Sequence, residues 1–453
     1  MTDTDGSRRP RVLYLSFYFP PSRASGVYRA RATANHLAAD GWDVTVFAAP
    51  MRFLHEAIGS VDEKLAETVD ERVRVERPWL SHFIWATDIR RYSAFRRQLP
   101  VLAMSLYKAT QRLFPEHYNS WAMAAVAKAL RMHARERFDV VVATGNPFAA
   151  FAAAWMINRL TGLPYVVDYR DAWTLELFGD GPAFPPGHSV WGWERRVLNH
   201  ASAIVFVNDA LRQWHAERYP SDADKMLIVP NGWDQDVLED SGPDGPPQHE
   251  TAGPLRFSYV GTITTVQPVR EMVEAFQLAR THPSLADAQL NLYGHLGFFK
   301  GGQLRLAELL GIDEDNRVGG EDTGIHYRGP VSKTEVAHTY AESDVLVFLA
   351  GGAKYVTSGK IFEYMANGRP IVSVHAPGIA AAEVLAGYPL WFNADSLDPD
   401  DIAQAMIAAG KAAEDLTPET RVAALRHAEQ YTRDRVLVPF EAKLRSLVRR
   451  RNK

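Results

Sequence analysis

Ser358, Lys360 and Glu363 stand in a stretch, SGKIFEYMANGRPIVSV, whose residue types and spacing suit a phosphate and a diol. Ser358 is placed to cap a helix, and Gly359 lets backbone approach a ligand. The unpaired N–H groups of the first helical turn and the positive end of its dipole attract phosphate, and Lys360 adds a full charge there. Glu363, one turn on and on the side of Lys360, is acceptor-only when ionised and suits two adjacent sugar hydroxyls. A nucleotide meets both demands, with pyrophosphate at the helix start and ribose on the glutamate. The bland alternative is a solvated i,i+3 Lys–Glu pair. A second cluster of charge, Asp168-Tyr169-Arg170-Asp171, follows the apolar run at 164–168. A third feature is Gly261-Thr262 at the end of Arg256–Val260, a strand–glycine–polar loop–helix layout that also cradles phosphates.

Such groups need elements to position them. Asp344–Ala350 reads as a buried strand broken by Gly351-Gly352. Ile361, Phe362 and Met365 share one helical face with Glu363 opposite, Gly368 stops the helix, and Pro370 forbids continuation before the strand Ile371–Val374. Towards the N-terminus, strands are expected at Arg11–Phe19, Trp42–Ala48, Phe138–Ala143, Pro164–Asp168, His200–Val207 and Met226–Pro230, with helices at Val27–Ala39, up to Leu160, and at Asp209–Arg218. Asn231-Gly232 is expected to make a tight turn, since both residues tolerate positive φ, and Ser241–Pro254 reads as a linker. Beyond it come strands Arg256–Val260, Leu290–Tyr293 and Ile325–Arg328, helices Val269–Ala279 and Ser332–Ser343, an edge strand Leu390–Asn393 and a basic amphipathic helix Val436–Arg450. Two sets of strand–loop–helix units separated by a linker predict an α/β protein of two Rossmann-like domains with parallel sheets, whose ligands lie beyond the strand C-termini. The expected division is 1–232, with a helical excursion at 51–137, then 233–434, with 435–453 a terminal helix crossing back.

S-x-K-x-x-E-Y-M-A-x-G-x-P-I-V at 358–372, D-Y-R-D-x-W at 168–173 and P-N-G-x-D at 230–234 resemble motifs of glycosyltransferase family 4. That resemblance implies a GT-B fold, two Rossmann-like domains facing across a cleft, and retaining transfer of a sugar from a nucleoside diphosphate to a hydroxyl acceptor. In the family a pair of glutamates spans the first motif. Glu363 matches the one that binds the donor ribose; the one that binds the donor sugar falls on Tyr355, which hands that task to Lys354, Thr357 or the backbone of Gly351–Gly359. The basic pair that relatives place after the glycine of the second domain's first strand is replaced by Thr262 and Gln267. Donor binding is then expected from Gly261, Thr262, Ser358, Gly359, Lys360, Glu363 and Arg270. Arg23, Ser25 and Gly26, in the loop after the first strand, are expected to line the cleft with Arg170. Asp171 and Asp168 are the candidates for orienting the acceptor hydroxyl or taking its proton, and Lys360 for stabilising the departing diphosphate. No D-x-D pair suggests a metal-diphosphate site, so no cofactor and no metal are expected.

Composition sets outer bounds. The chain has 453 residues, 46% hydrophobic and 23% charged, which suits a globular protein of two or three domains. It contains no cysteine, which excludes disulfides and thiolate metal sites and suits a reducing compartment. No apolar signal region or spanning stretch is evident, so a cytoplasmic location is expected. A net charge of -4 argues against nucleic acid as a partner. Within 89–112, however, Arg90, Arg91, Arg96, Arg97, Lys108 and Arg112 occur without one acidic residue and among aromatics. That mixture fits an anionic membrane surface, peripheral attachment and a lipid-linked or envelope glycan acceptor; the alternatives are a helical excursion packed on its domain and a soluble small-molecule acceptor. Two other functions share the expected fold: a nucleotide-sugar epimerase and a non-catalytic sugar-nucleotide-binding protein.

Overall fold

A computed structural model of the chain describes residues 8–24, 26–59, 61–81, 83, 85, 90, 92–114, 116–176, 181–235, 253–297, 300–320, 323–331, 333–351 and 354–451. It divides into two units, Met1–Pro230 with Val436–Lys453, and Asn231–Arg435. Ser25, Ile89, Arg91, Gly352, Ser332 and nearly all of the linker fall outside the described residues.

The first unit holds strands β1 (Arg11–Leu15), β2 (Asp43–Phe47), β3 (Arg74–Glu76), β4 (Val140–Gly145), β5 (Tyr165–Tyr169), a small antiparallel pair β6 (Leu175–Glu176) and β7 (Gly181–Pro182), then β8 (Ala203–Phe206) and β9 (Met226–Ile228). Its main sheet runs β3-β2-β1-β4-β5-β8-β9, all parallel. β4 and β5 are buried along their whole length, which explains their unbroken apolar runs: helices cover both faces of a parallel sheet. The second unit holds β10 (Arg256–Val260), β11 (Gln289–Tyr293), β12 (Ile325–Gly329), β13 (Val345–Ala350), β14 (Ile371–His375) and β15 (Trp391–Asn393), in the parallel order β12-β11-β10-β13-β14-β15. In each sheet the strand order reverses beside the unit's first strand, between β1 and β4 and between β10 and β13. Ligands of doubly wound sheets bind at that crevice.

Local sequence accounts for most element ends. Helices Val27–Ala39, Asp209–Arg218 and Val269–Ala279 run as expected. Gly368 ends the helix Gly359–Ala366 at φ +62, with its N–H bonded to the Met365 carbonyl. The excursion is helical at Ala94–Gln98, Pro100–Leu113 and Asn119–Arg135, but it also contains β3, an edge strand with a single apolar residue. Asn231 and Gly232 do not take positive φ. The junction is held instead by Asn231 Nδ2 donating to the Thr357 carbonyl at 3.2 Å and by Trp233 exchanging backbone bonds with Tyr431 and Arg433. The terminal helix, Arg433–Arg451, buries Val436, Leu437, Phe440, Leu444 and Leu447. Its Glu441 accepts the Trp42 Nε1–H at 2.9 Å and pairs with Arg445, while Arg451 Nη1 donates to the Phe138 carbonyl at 3.3 Å. From Val436 on the helix belongs to the first unit.

Candidate functional site

In the second unit the helix Gly359–Ala366 is docked onto the end of β10 by two of its side chains. The Tyr364 hydroxyl accepts the Val260 N–H at 3.0 Å and donates to the Val260 carbonyl at 3.3 Å. Lys360 reaches beyond it to Gly261, where an added Cβ would lie 1.4 Å from Nζ. Only a glycine leaves that space, and its φ of +155° is one that other residues rarely adopt. The ammonium also lies 5.4 Å from the Tyr259 ring centroid. Ser358 caps the helix, its Oγ accepting the Lys360 N–H at 3.4 Å, and no acid stands in the first turn to neutralise it. One turn on, half-buried Glu363 accepts the Tyr340 hydroxyl at 3.0 Å. Burial and the neighbouring Glu363 carboxylate push Tyr340 far above the usual phenol range, so the phenol stays a donor to that carboxylate.

Around this core the expected donor residues separate. Ser358, Gly359, Lys360 and Gly261 converge. The Thr262 carbonyl accepts the Tyr259 hydroxyl at 2.8 Å, and Gln267 bridges the Thr264 N–H at 2.8 Å and Tyr259 Oη at 3.0 Å, so this polar pair shapes the loop after β10. Arg270 is exposed on the first turn of Val269–Ala279 and makes no hydrogen bond or ion pair among the described residues. Tyr355 is buried at 6% exposure with the Lys354 ammonium 5.3 Å from its ring centroid, so an aromatic face stands where relatives carry an acid. Sequence reasoning passed over His375, which ends β14 beside Ala350 at 3% exposure. Its Nδ1 lies 2.8 Å from the Ala376 carbonyl, and its buried Nε2 has no hydrogen-bond partner among the described residues.

In the first unit, Asp168 ends β5 in a bidentate pair with Arg29 of helix Val27–Ala39, Nε to Oδ2 at 2.9 Å and Nη2 to Oδ1 at 2.8 Å. Thr144 Oγ1 adds a bond at 3.3 Å, and both ion-pair side chains are 5% exposed. Asp168 is therefore a buried carboxylate held by an arginine and a threonine. The neighbouring Arg170 and Asp171 are presented differently. Arg170 Nη2 donates to Asp171 Oδ2 at 2.9 Å, the Asp171 side chain remaining 36% exposed. The same guanidinium lies against the start of helix Val27–Ala39, where a Cβ on Gly26 would meet Nη1 at 1.3 Å. Gly26, Arg170 and Asp171 thus come together, whereas Arg23 turns towards Asp62 at 3.7 Å and is half-exposed. Glu116 is a further group with no sequence signal. Its Oε1 accepts the Phe148 N–H at 3.3 Å just after β4, and burial pushes its carboxyl up to about 7. Among the described residues no group of three or more His, Cys, Asp or Glu could hold a metal ion.

Two doubly wound parallel units, one of them with a lysine and a glutamate on a helix at its strand crossover, make up a GT-B fold. Residues 26–232 match the glycosyl transferase 4-like domain and residues 254–411 the glycosyl transferases group 1 domain. The chain belongs to this glycosyltransferase family. No curated protein matches it in sequence. Among solved structures it is similar to a glycosyltransferase from Rickettsia africae ESF-5, with 12% identity, a TM-score of 0.64, and 98% of this chain and 99% of that chain covered. Sucrose-phosphate synthase from Thermosynechococcus elongatus aligns at 14% identity and a TM-score of 0.61 over 98% and 100% of the two chains. HepE of Anabaena, in complex with UDP and glucose, aligns at 16% identity and a TM-score of 0.55 over 98% and 99%.

Proposed function

We propose that the protein transfers a sugar from a nucleoside diphosphate to a hydroxyl acceptor with retention of anomeric configuration. The observation that carries this reading is Lys360 lodged over Gly261 at the open end of β10, with Glu363 one turn along the same helix. Lys360, the Ser358–Gly359 helix start and the Gly261 backbone hold the diphosphate, and Glu363 takes the ribose hydroxyls. Charge on the leaving diphosphate grows towards the transition state, where the ammonium and the aligned N–H groups stabilise it without a dedicated metal. Thr262 and Arg270 line the entrance. On the acceptor side Arg170 and Gly26 bind, with Arg23 further out, and Asp171 orients the hydroxyl. UDP and UDP-glucose in HepE, a neighbour in fold, support a nucleoside diphosphate sugar as donor. Incubation with UDP-, GDP- and ADP-sugars, read by chromatography, tests the reading. Release of the nucleoside diphosphate is expected; formation of an epimer would make the protein an epimerase, and binding without turnover a non-catalytic binder.

A second observation favours a cytoplasmic enzyme working at an anionic bilayer on a lipid-linked or envelope glycan. Leu99, Val101, Leu102 and Leu106 are 50%, 78%, 48% and 52% exposed, on or next to the helix Pro100–Leu113. Arg97 and Lys108 are exposed on the same helical pair. The absence of acidic residues from 89–112 matches anionic lipid better than a protein partner. Arg96 plays a different part: its Nη1 donates to the Phe83 carbonyl at 3.1 Å and its guanidinium stacks 3.5 Å from the Tyr92 ring centroid. Among the described residues no helix is long and apolar enough to cross a membrane, so attachment would be peripheral. Sedimentation with anionic vesicles should carry down the wild type and leave a Val101→Ser, Leu102→Ser, Arg97→Ser variant in solution. Wild type remaining in the supernatant at low salt refutes the membrane reading.

A further inference from the structure

Beneath the loop that carries Arg170 and Asp171 lies a carboxylate with 0% exposure, Glu194 of the helix Ser189–His200. Its oxygens are occupied from several sides. Oε1 accepts the Tyr169 hydroxyl at 3.0 Å, and Oε2 accepts Thr174 Oγ1 at 2.5 Å and the Tyr219 hydroxyl at 2.7 Å. His215 Nε2 lies 3.6 Å from Oε1, and its Nδ1 is 2.8 Å from the Leu211 carbonyl, which can only accept, so Nδ1 carries a proton. Burial alone would raise the Glu194 carboxyl, but the nearby His215 and the bonds from the Thr174 and Tyr219 hydroxyls bring it below the usual range.

The donors are not equivalent in the chain. Tyr169 immediately precedes Arg170, and Thr174 follows Asp171 by three residues, so one buried carboxylate ties down both ends of the segment that presents them. Between them Trp173, 5% exposed, stacks on Phe148 at 5.1 Å between centroids and 8° between planes. Tyr219 belongs to a different region, following the helix Asp209–Arg218.

We propose that Glu194 is a positioning residue for sugar transfer, holding the Tyr169–Thr174 backbone so that Arg170 stays against Gly26 and Asp171 stays presented. The inference rests on the reading that this loop carries the acceptor-side chemistry. Thr174→Val and Tyr219→Phe make the test, because each removes one hydroxyl from the same carboxylate oxygen and should lower Tm, while only Thr174 belongs to the loop. Backbone amide exchange of peptides spanning 169–174 should speed up in Thr174→Val and stay at wild-type rates in Tyr219→Phe. Turnover of UDP-, GDP- or ADP-glucose should fall roughly tenfold to hundredfold in Thr174→Val, stay within about twofold in Tyr219→Phe, and recover in Thr174→Ser. Equal effects of the two variants on exchange would overturn the positioning role, whatever the loop does. Full transfer by Asp171→Asn would instead overturn the acceptor-side reading of the loop, and the exchange data would show that the two failures are distinct.

Discussion

Replacing Gly261 by alanine disturbs the second unit in two separable ways. The new methyl would sit 1.4 Å from Lys360 Nζ, so the ammonium has to leave the end of β10. As the far end of a flexible side chain it moves with little strain. The backbone yields less readily. Gly261 has φ +155°, and holding an alanine there costs on the order of 1–3 kcal/mol, or about 2–12 °C in Tm for a unit of this size. Moving the ammonium off a bound diphosphate should lose a charge-assisted bond of about 1.5–3 kcal/mol, roughly tenfold to hundredfold in Kd. Calorimetric titration with UDP, beside thermal denaturation, reads both effects on Gly261→Ala, Lys360→Ala and the double variant. If Lys360 works from the space over Gly261, the double variant binds UDP no more weakly than the worse single variant, although its Tm stays low. Wild-type affinity in Gly261→Ala together with weakened binding in Lys360→Ala would show that the lysine acts from elsewhere, and the assignment of the diphosphate to this space would fail.

Glu363→Gln keeps an acceptor for the Tyr340 hydroxyl but loses the charge offered to the ribose, so nucleotide affinity should fall roughly tenfold with Tm nearly unchanged; a lowered Tm with intact affinity would make Glu363 structural. Asp168→Asn leaves Arg29 buried without its counter-charge, and denaturation should show a loss of about 3–5 kcal/mol, whereas a stable but inactive variant would keep Asp168 among the catalytic candidates. Glu116→Gln should stabilise the protein near pH 8 by up to about 3 kcal/mol and have little effect near pH 5. The sign follows from the carboxyl being raised to about 7: between the ordinary carboxylate range and pH 7 the folded chain keeps a proton that the unfolded chain has lost, so stability falls as pH rises. Equal Tm differences at both pH values would contradict it.

Much of the fold was legible because local physics sets it. The helix Val27–Ala39 is rich in alanine and stopped by Gly41, and the apolar runs at β4 and β5 can only be strands covered on both faces. β3 was not legible, since Arg74-Val75-Glu76 offers one apolar residue and pairs only along an edge. At the site, the helix at Ser358 could be read from its cap, its lysine and its glycine stop. The partner of Asp168 could not: Arg29 is 139 residues away, and no spacing rule links a β5 carboxylate to a guanidinium in the first helix. Glu116 and Glu194 were hidden for a related reason. A lone glutamate reads as a solvated charge, and only the fold brings the Phe148 N–H to the half-buried one and Tyr169, Thr174 and Tyr219 around the fully buried other.

Sugar transfer with retention is tested most directly by following the anomeric proton by NMR while the enzyme turns over an α-linked nucleoside diphosphate sugar. The first product to appear should carry the small coupling of an α-anomer, before mutarotation mixes the two forms. A β-anomer appearing first, an epimerised sugar still attached to the nucleotide, or an unchanged spectrum under saturating binding would contradict the account.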